Sequence, residues 1–282
     1  MRSAVLAIAL AGLLGAGGCA GDDIDYVTED RMANGLVVIL PGIEGESSYN
    51  HDVRSGLVAG GVYRALPIYH WGRPVPGLGM LLNQMDFLGN RLAGIGIAHM
   101  ITQYQDAHPN RPVYIIGHSG GGGVAVFAAE AMPEGRQVDG LVLLSASIYS
   151  GYDATKALKR CRNGILNVYN RDDAGLLGIG TTVMGNVDGM HGPSAGLIGF
   201  ETAKPGDREE KRLAYSKLYQ LPIGAEMTYG DSDPHGAATR VGFVSTYVAP
   251  WIAASSWPAG NASAALAVAA RRRAEVLASS GR

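Results

Sequence analysis

Ser119 lies in Gly117-His118-Ser119-Gly120-Gly121, a G-x-S-x-G string of the kind that presents a serine hydroxyl as a nucleophile. The string alone carries little. With 41 glycines and 17 serines in the chain, chance supplies ~0.4 such matches, and Gly192-Pro193-Ser194-Ala195-Gly196 is a second one. Context separates them. The motif has physical meaning where a strand turns sharply into a helix, because that strained turn pushes the hydroxyl out above a sheet. Ser119 has PVYII before it and GGVAVFAAEAM after it, whereas Ser194 follows VDGMH with no strand signal and reads as a loop hydroxyl.

A serine hydroxyl needs a base, and a base needs an acid to orient it. There are seven histidines. His118 sits inside the turn and cannot bend back onto Ser119, and His51, His70, His99 and His108 precede it, against the chain order serine, acid, histidine that goes with this turn. His191 falls in a glycine-rich stretch. His235, in GDSDPHG between a strand candidate and a helix candidate, is the expected base. The acid should follow a strand beyond the serine. GILNVY is followed by Asn170-Arg171-Asp172-Asp173, which offers two carboxylates, while Asp231 and Asp233 stand too near His235 to come from a separate strand end. For a developing oxyanion, the backbone N–H of Gly120 opens a helix, where the dipole favours negative charge. Ile43, in the Pro41-Gly42-Ile43-Glu44-Gly45 loop after LVVIL, is the second expected donor. Glu44 is awkward beside an anion and is expected to point away or to pair with an arginine.

The elements that must position these residues alternate. Strands are expected at 36–40, 62–71, 112–117, 138–146, 164–169 and 225–230, mostly apolar on both faces as buried parallel strands are. Helices are expected over 83–109, with Leu88, Leu92, Ile95 and Thr102 in helical spacing, and over 121–135, 152–161 and 238–252. This order predicts an α/β fold with an open, mainly parallel sheet and helices on both faces. Residues 174–224 break the alternation and read as an irregular insertion bordering the functional end.

With the turn, the later acid and the last histidine in place, the chain from Leu36 to Ile252 resembles the α/β-hydrolase superfamily. LPGIEGESSYN, VYIIGHSGGG, NVYNRDD and LLGIGT are further similar to a group of bacterial α/β hydrolases of the esterase and lipase kind. The resemblance implies a serine hydrolase acting on a small-molecule carboxylic ester through an acyl-enzyme, with no cofactor and no metal. It also favours Asp173 over Asp172 as the acid, since the family pattern places an acid three residues before the Leu of an LG pair, here Leu176 with Leu177-Gly178 next. One departure is that Pro41-Gly42 stands where lipases carry His-Gly. Because this fold hosts many activities, a thioesterase, an acyltransferase, a peptidase and a non-catalytic binding protein stay open beside the esterase.

The first residues read as an export leader: Met1-Arg2, an uncharged apolar run from Ser3 to Leu14, then small residues up to Cys19. The run is shorter than the ~20 residues of a membrane-spanning helix. It resembles a bacterial lipoprotein signal, with Ala16 where Leu is usual, and this implies a lipid on Cys19 and a place in the cell envelope; a soluble periplasmic or secreted protein is the alternative. The expected division is a leader over 1–18, a tether over 19–34, the hydrolase domain over 35–257 and an alanine-rich tail over 258–282. Cys161 is then left without a partner and reads as a small buried residue. A net charge of -2, with no basic run before Arg271-Arg272-Arg273, argues against nucleic acid as a partner. The sequence leaves the oligomeric state open.

Overall fold

The computed structural model describes residues 25–72, 84–173, 185–228 and 232–258. Five parallel strands form one sheet in the order of the chain: β1 (Leu36–Leu40), β2 (Val113–His118), β3 (Gly140–Leu144), β4 (Ile165–Tyr169) and β5 (Leu218–Pro222). Nearly every strand residue is buried, which explains why the runs are apolar throughout rather than alternating. Side chains leave alternate faces. Val38, Leu40, Ile115 and Leu143 join one core with the helices α3 (Phe87–Ala107) and α4 (Gly120–Ala131). Val37, Ile39, Tyr114 and Ile116 join the other with α2 (Ser48–Ala59) and the C-terminal helical run from Val241 to Ala253.

Three elements differ from expectation. Residues 62–71 run beside β1 and hydrogen-bond to it, but as isolated bridges, Leu36 with Ala65 and Ile39 with Ile68, rather than as a strand. The last strand is LYQLP at 218–222, and Ala225–Met227 is a short 3-10 helix. Gln220 disguised that strand, since a glutamine reads as solvent-facing. Here it is buried, accepting from the Phe200 N–H at 2.6 Å and donating to the Phe200 carbonyl at 3.0 Å, so both ends of its amide are satisfied. The stretch read as a tether also folds from Tyr26 onward: α1 (Glu29–Asn34) is capped by Thr28 and buries Arg31 and Met32.

The helix at 83–109 exists, but its leucines do not face the sheet. Leu88, Leu92 and Ile95 are 64%, 59% and 55% exposed, and the buried face is Asn90, Gly94, Ile97, Ala98, Ile101 and Tyr104. The reason is close packing: a Cβ on Gly94 would lie 2.8 Å from Phe127 Cβ and 2.9 Å from the Ala128 nitrogen. α3 therefore meets α4 through its small residues, and its bulky ones are left outside. Cys161 is fully buried, and burial pushes its thiol up to about 12. Among the described residues no helix is long and apolar enough to cross a membrane.

Two tyrosines tie peripheral helices to this frame. Tyr104 donates to the Met32 carbonyl at 2.6 Å, and Tyr215 accepts from the Ala154 N–H at 3.0 Å; burial pushes both phenols up to about 12. An unfolded chain ionises tyrosine near 10. The folded values are the higher, so the stabilisation is complete below pH ~10 and is lost as pH rises toward 12. The urea midpoint should hold to about pH 9 and fall steeply beyond pH 10, with a shallower fall in Tyr104→Phe; equal slopes above pH 10 in the two proteins would refute the assignment.

Candidate functional site

β2 ends at His118 and α4 begins at Gly120, so Ser119 alone makes the turn, with φ 51° and ψ -123°. That is a strained conformation for a residue with a side chain, and it persists only because neighbours hold the backbone on both sides. The Ser119 N–H donates to the Leu144 carbonyl at 3.0 Å, and its own carbonyl accepts from Gly122 at 3.0 Å and Ser147 at 2.9 Å. The glycines around it answer to space. A Cβ on Gly117 would lie 2.3 Å from the Gly121 oxygen, and one on Gly121 would lie 2.3 Å from the Pro41 oxygen. Ser119 is 7% exposed.

His235 and Asp173, distant in sequence, are brought together. Nδ1 of His235 is 2.5 Å from Oδ2 of Asp173, and both side chains are buried. Asp172, its neighbour, is exposed, with its N–H donating to Asn170 Oδ1 at 3.1 Å. The loop bearing His235 is fixed mainly through its backbone. Asp233 Oδ1 accepts from the His235 N–H at 3.1 Å, Asn170 donates to the Pro234 carbonyl at 2.8 Å, and Nε2 of His118 lies 3.3 Å from the His235 carbonyl. Asp233 is held in turn by Tyr49 at 2.9 Å and Arg240 at 3.3 Å. Asp233, Asn170, Tyr49 and His118 were not expected as part of the site. Asp233 was weighed only as a rival acid, and no spacing in the sequence signals a side chain that grips a backbone.

The Pro41–Gly45 loop comes over the start of α4. A Cβ on Gly120 would lie 2.8 Å from Ile43 Cγ2 and 3.4 Å from both Trp71 and Val187. Three apolar side chains from three segments thus converge beside the residue that follows Ser119. Trp71 is anchored by its indole N–H on the Pro41 carbonyl at 2.7 Å. Val187 brings the insertion to the site, held by its N–H on the Ser147 carbonyl at 3.2 Å and by Asn90 on its own carbonyl at 3.3 Å. Among the described residues Glu44 pairs with no arginine. It turns inward, with Oε1 3.8 Å from Nδ1 of His118.

Ser194 is in a different environment from Ser119. It is fully buried with its hydroxyl unpartnered, it bridges to Tyr149, and Gly196 is glycine because a Cβ there would lie 2.2 Å from the Ser145 carbonyl carbon. His191 is exposed beside Gly185. Asp231, Cys19 and residues 174–184 of the insertion lie outside the described residues.

Comparison with known proteins adds the following. A family model described as serine aminopeptidase, S33, matches residues 96–171, the stretch that carries α3, the turn and β4. No curated protein matches the chain in sequence. Aspergillus fumigatus lipase B is similar in structure, with a TM-score of 0.52 and 12% identity over 86% of this chain and 58% of that one. At that identity the likeness is one of fold, and this chain spans less than two thirds of the lipase. A thioesterase from the prodiginine pathway of Streptomyces coelicolor matches over 59% of this chain and 76% of its own, with a TM-score of 0.33 and 13% identity.

The tight contact between the turn and the end of β1 yields a direct test. Gly121→Ala places a methyl group against two backbone oxygens, those of Pro41 and Leu40, neither of which can rotate away. It should lower stability by about 1–3 kcal/mol in urea unfolding. An unchanged midpoint would mean that the loop and the turn are not in contact in solution.

Proposed function

We propose, for a chain whose fold is that of the α/β-hydrolase superfamily, a serine hydrolase that cleaves a carboxylic ester. The observation that carries the reading is Ser119 on a strained strand-to-helix turn, at the same end of the sheet as a buried His235–Asp173 pair. Ser119 Oγ attacks the acyl carbon while Nε2 of His235 takes its proton, and Asp173 on Nδ1 fixes the tautomer and steadies the imidazolium. The N–H groups of Gly120 and Ile43 receive the oxyanion. His235 then returns the proton to the departing alcohol, and water repeats the sequence to free the acid. Ile43, Trp71 and Val187 offer an apolar wall for the acyl group. The ester is favoured by the resemblance of the motifs and by the name of the lipase that shares the fold.

Ser119→Ala should abolish both nitrophenyl ester hydrolysis and labelling by a fluorophosphonate, and Ser194→Ala should keep both. Asp173→Asn should lower turnover ~10⁴-fold because the imidazole is left in the wrong tautomer, while Asp172→Asn stays near the wild-type rate. Full activity in Ser119→Ala would overturn the mechanism. Loss in Asp172→Asn with activity kept in Asp173→Asn would move the acid by one residue.

The proposed place of action is the bacterial cell envelope, with lipid on Cys19. Several acyl chains anchor stably where one binds only marginally. Cys19→Ala should leave the membrane fraction of the native host for the soluble one; retention equal to wild type would exclude the anchor.

A further inference from the structure

His118 is fully buried, directly precedes Ser119, and has no part in the proton transfers described above. Its surroundings are not those of a filler. One ring nitrogen, Nε2, lies 3.3 Å from the His235 carbonyl, and the other, Nδ1, faces Glu44 at 3.8 Å. Its ring lies between Tyr49, with centroids 4.9 Å apart, and His235, at 4.8 Å. Glu44 belongs to the same loop as Ile43. Its carboxylate folds back over Gly42, where a Cβ would lie 2.1 Å from Oε2, so glycine at 42 is what gives the carboxylate room to turn inward.

We propose that Glu44 and His118 act as a pair behind His235, in which His118 holds the His235 loop through Nε2 and Glu44 supplies a negative charge that His235 feels across the His118 ring. The proposal rests on the hydrolase reading of Ser119 and His235. A backbone carbonyl can only accept, so the proton of neutral His118 belongs on Nε2, where it holds His235 from behind. Nδ1, 3.8 Å from Glu44, is then unprotonated and makes no hydrogen bond, so Glu44 acts on the site through its charge. Burial, the largest influence, and the neighbouring His235 both push the His118 ring toward its neutral form, while Glu44 pulls the other way. Burial would raise the Glu44 carboxyl, but its contact with His118 outweighs it, so the group is held below its usual value and is ionised at neutral pH.

An ionised Glu44 has a consequence for the reaction. When His235 takes the Ser119 proton it becomes a cation, and a carboxylate on the far side of His118 attracts it. Because Glu44 is aimed at His118, its charge is directed toward the base rather than the oxyanion. Among the described residues, the other charged or titratable groups around His118 are Asp173, which meets His235 directly, and Asp233 with Arg240, which reach the ring through Tyr49. None of these belongs to the Ile43 loop. Glu44 is therefore the group through which a change in that loop would be felt at the base.

The test uses the rate of Ser119 modification by a fluorophosphonate between pH 5 and 9 in the full mature chain, together with the ¹⁵N imidazole titration of His235. Glu44→Gln keeps the shape and removes the charge. It should move the acid limb, and the His235 titration, down by roughly 0.3–0.7 pH unit, as expected for loss of one charge several ångströms away in a partly polar site. His118→Leu should lower the plateau rate roughly 10–100-fold. His118→Gln, which keeps an amide donor, should recover most of that rate. A limb unmoved by Glu44→Gln, or equal rates for His118→Leu and His118→Gln, would overturn the pair. If His118→Leu does not fold, the limb of Glu44→Gln and the rate of His118→Gln decide. If the wild type is not modified at Ser119, the hydrolase reading fails, and the His235 titration in Glu44→Gln still tests the pair: a shift supports it and no shift removes it.

Discussion

The turn at Ser119 is the constraint from which the rest of this structure follows. A central strand must end and a helix begin within one residue held at φ 51°, and the chain can do so only if everything beside that residue is thin. Gly117 lets the strand end pass beneath the helix backbone, and Gly121 lets the helix lie against the end of β1. β3 contributes as well, because its last carbonyl, that of Leu144, accepts the Ser119 N–H, and the segment after it returns Ser147 to the Ser119 carbonyl. The strain is therefore distributed over three parallel strands whose register is set by apolar burial on both faces. A hydroxyl carried this way cannot retreat into the sheet.

His235 is held differently. It has no strand or long helix of its own; it lies in a loop, and loops keep a geometry only through specific bonds. Asp173 fixes the ring, while Asp233, Asn170 and His118 grip the backbone at three successive carbonyl or amide groups. Asp233 is itself tied to α2 through Tyr49 and to the C-terminal helical run through Arg240. The sheet thus sets the position of the serine, and a polar network sets that of the histidine. His118 is where the two meet, being the last residue of β2 and a neighbour of the His235 carbonyl.

Much of this was legible in the sequence for a physical reason. Continuous apolar runs mean strands buried on both faces, and a strand, a glycine-flanked serine and a helix in succession admit few geometries, so Ser119, Gly120, His235, the Asp172–Asp173 pair and the Ile43 loop could be singled out by position, the preference for Asp173 coming from the resemblance. What was not legible is what depends on tertiary contact. Gln220 hid a strand because its polarity is satisfied by tertiary contacts, chiefly the backbone of Phe200, about twenty residues away in sequence. Leu88, Leu92 and Ile95 suggested the wrong helix face because hydrophobic spacing reports which residues could be buried, whereas the distance between two helices decides which ones are. Glu44 was expected to point away or to pair with an arginine, and the nearness of its carboxylate to the buried His118 ring depends on a tertiary contact that no sequence spacing signals.

The misplaced leucines also bear on how the site is braced. α4 carries the turn at its first residue, so any displacement of α4 along or away from the sheet would carry Ser119 with it. From outside, α4 is backed by α3, and the contact runs through Gly94 against Phe127 and Ala128, with Ala98 also in the interface. Small residues bring two helices close, and at close range many weak dispersion contacts act together with little freedom to slide. Bulky leucines on that face would have hidden more apolar surface but would have held α4 further out on longer and more adaptable side chains. The same helix also reaches the insertion, where Asn90, buried in the row that includes Gly94, donates to the Val187 carbonyl. One face of α3 therefore backs the helix that follows Ser119 and supports a side chain that lies beside it, so the exposure of its leucines follows from how closely that face must approach α4.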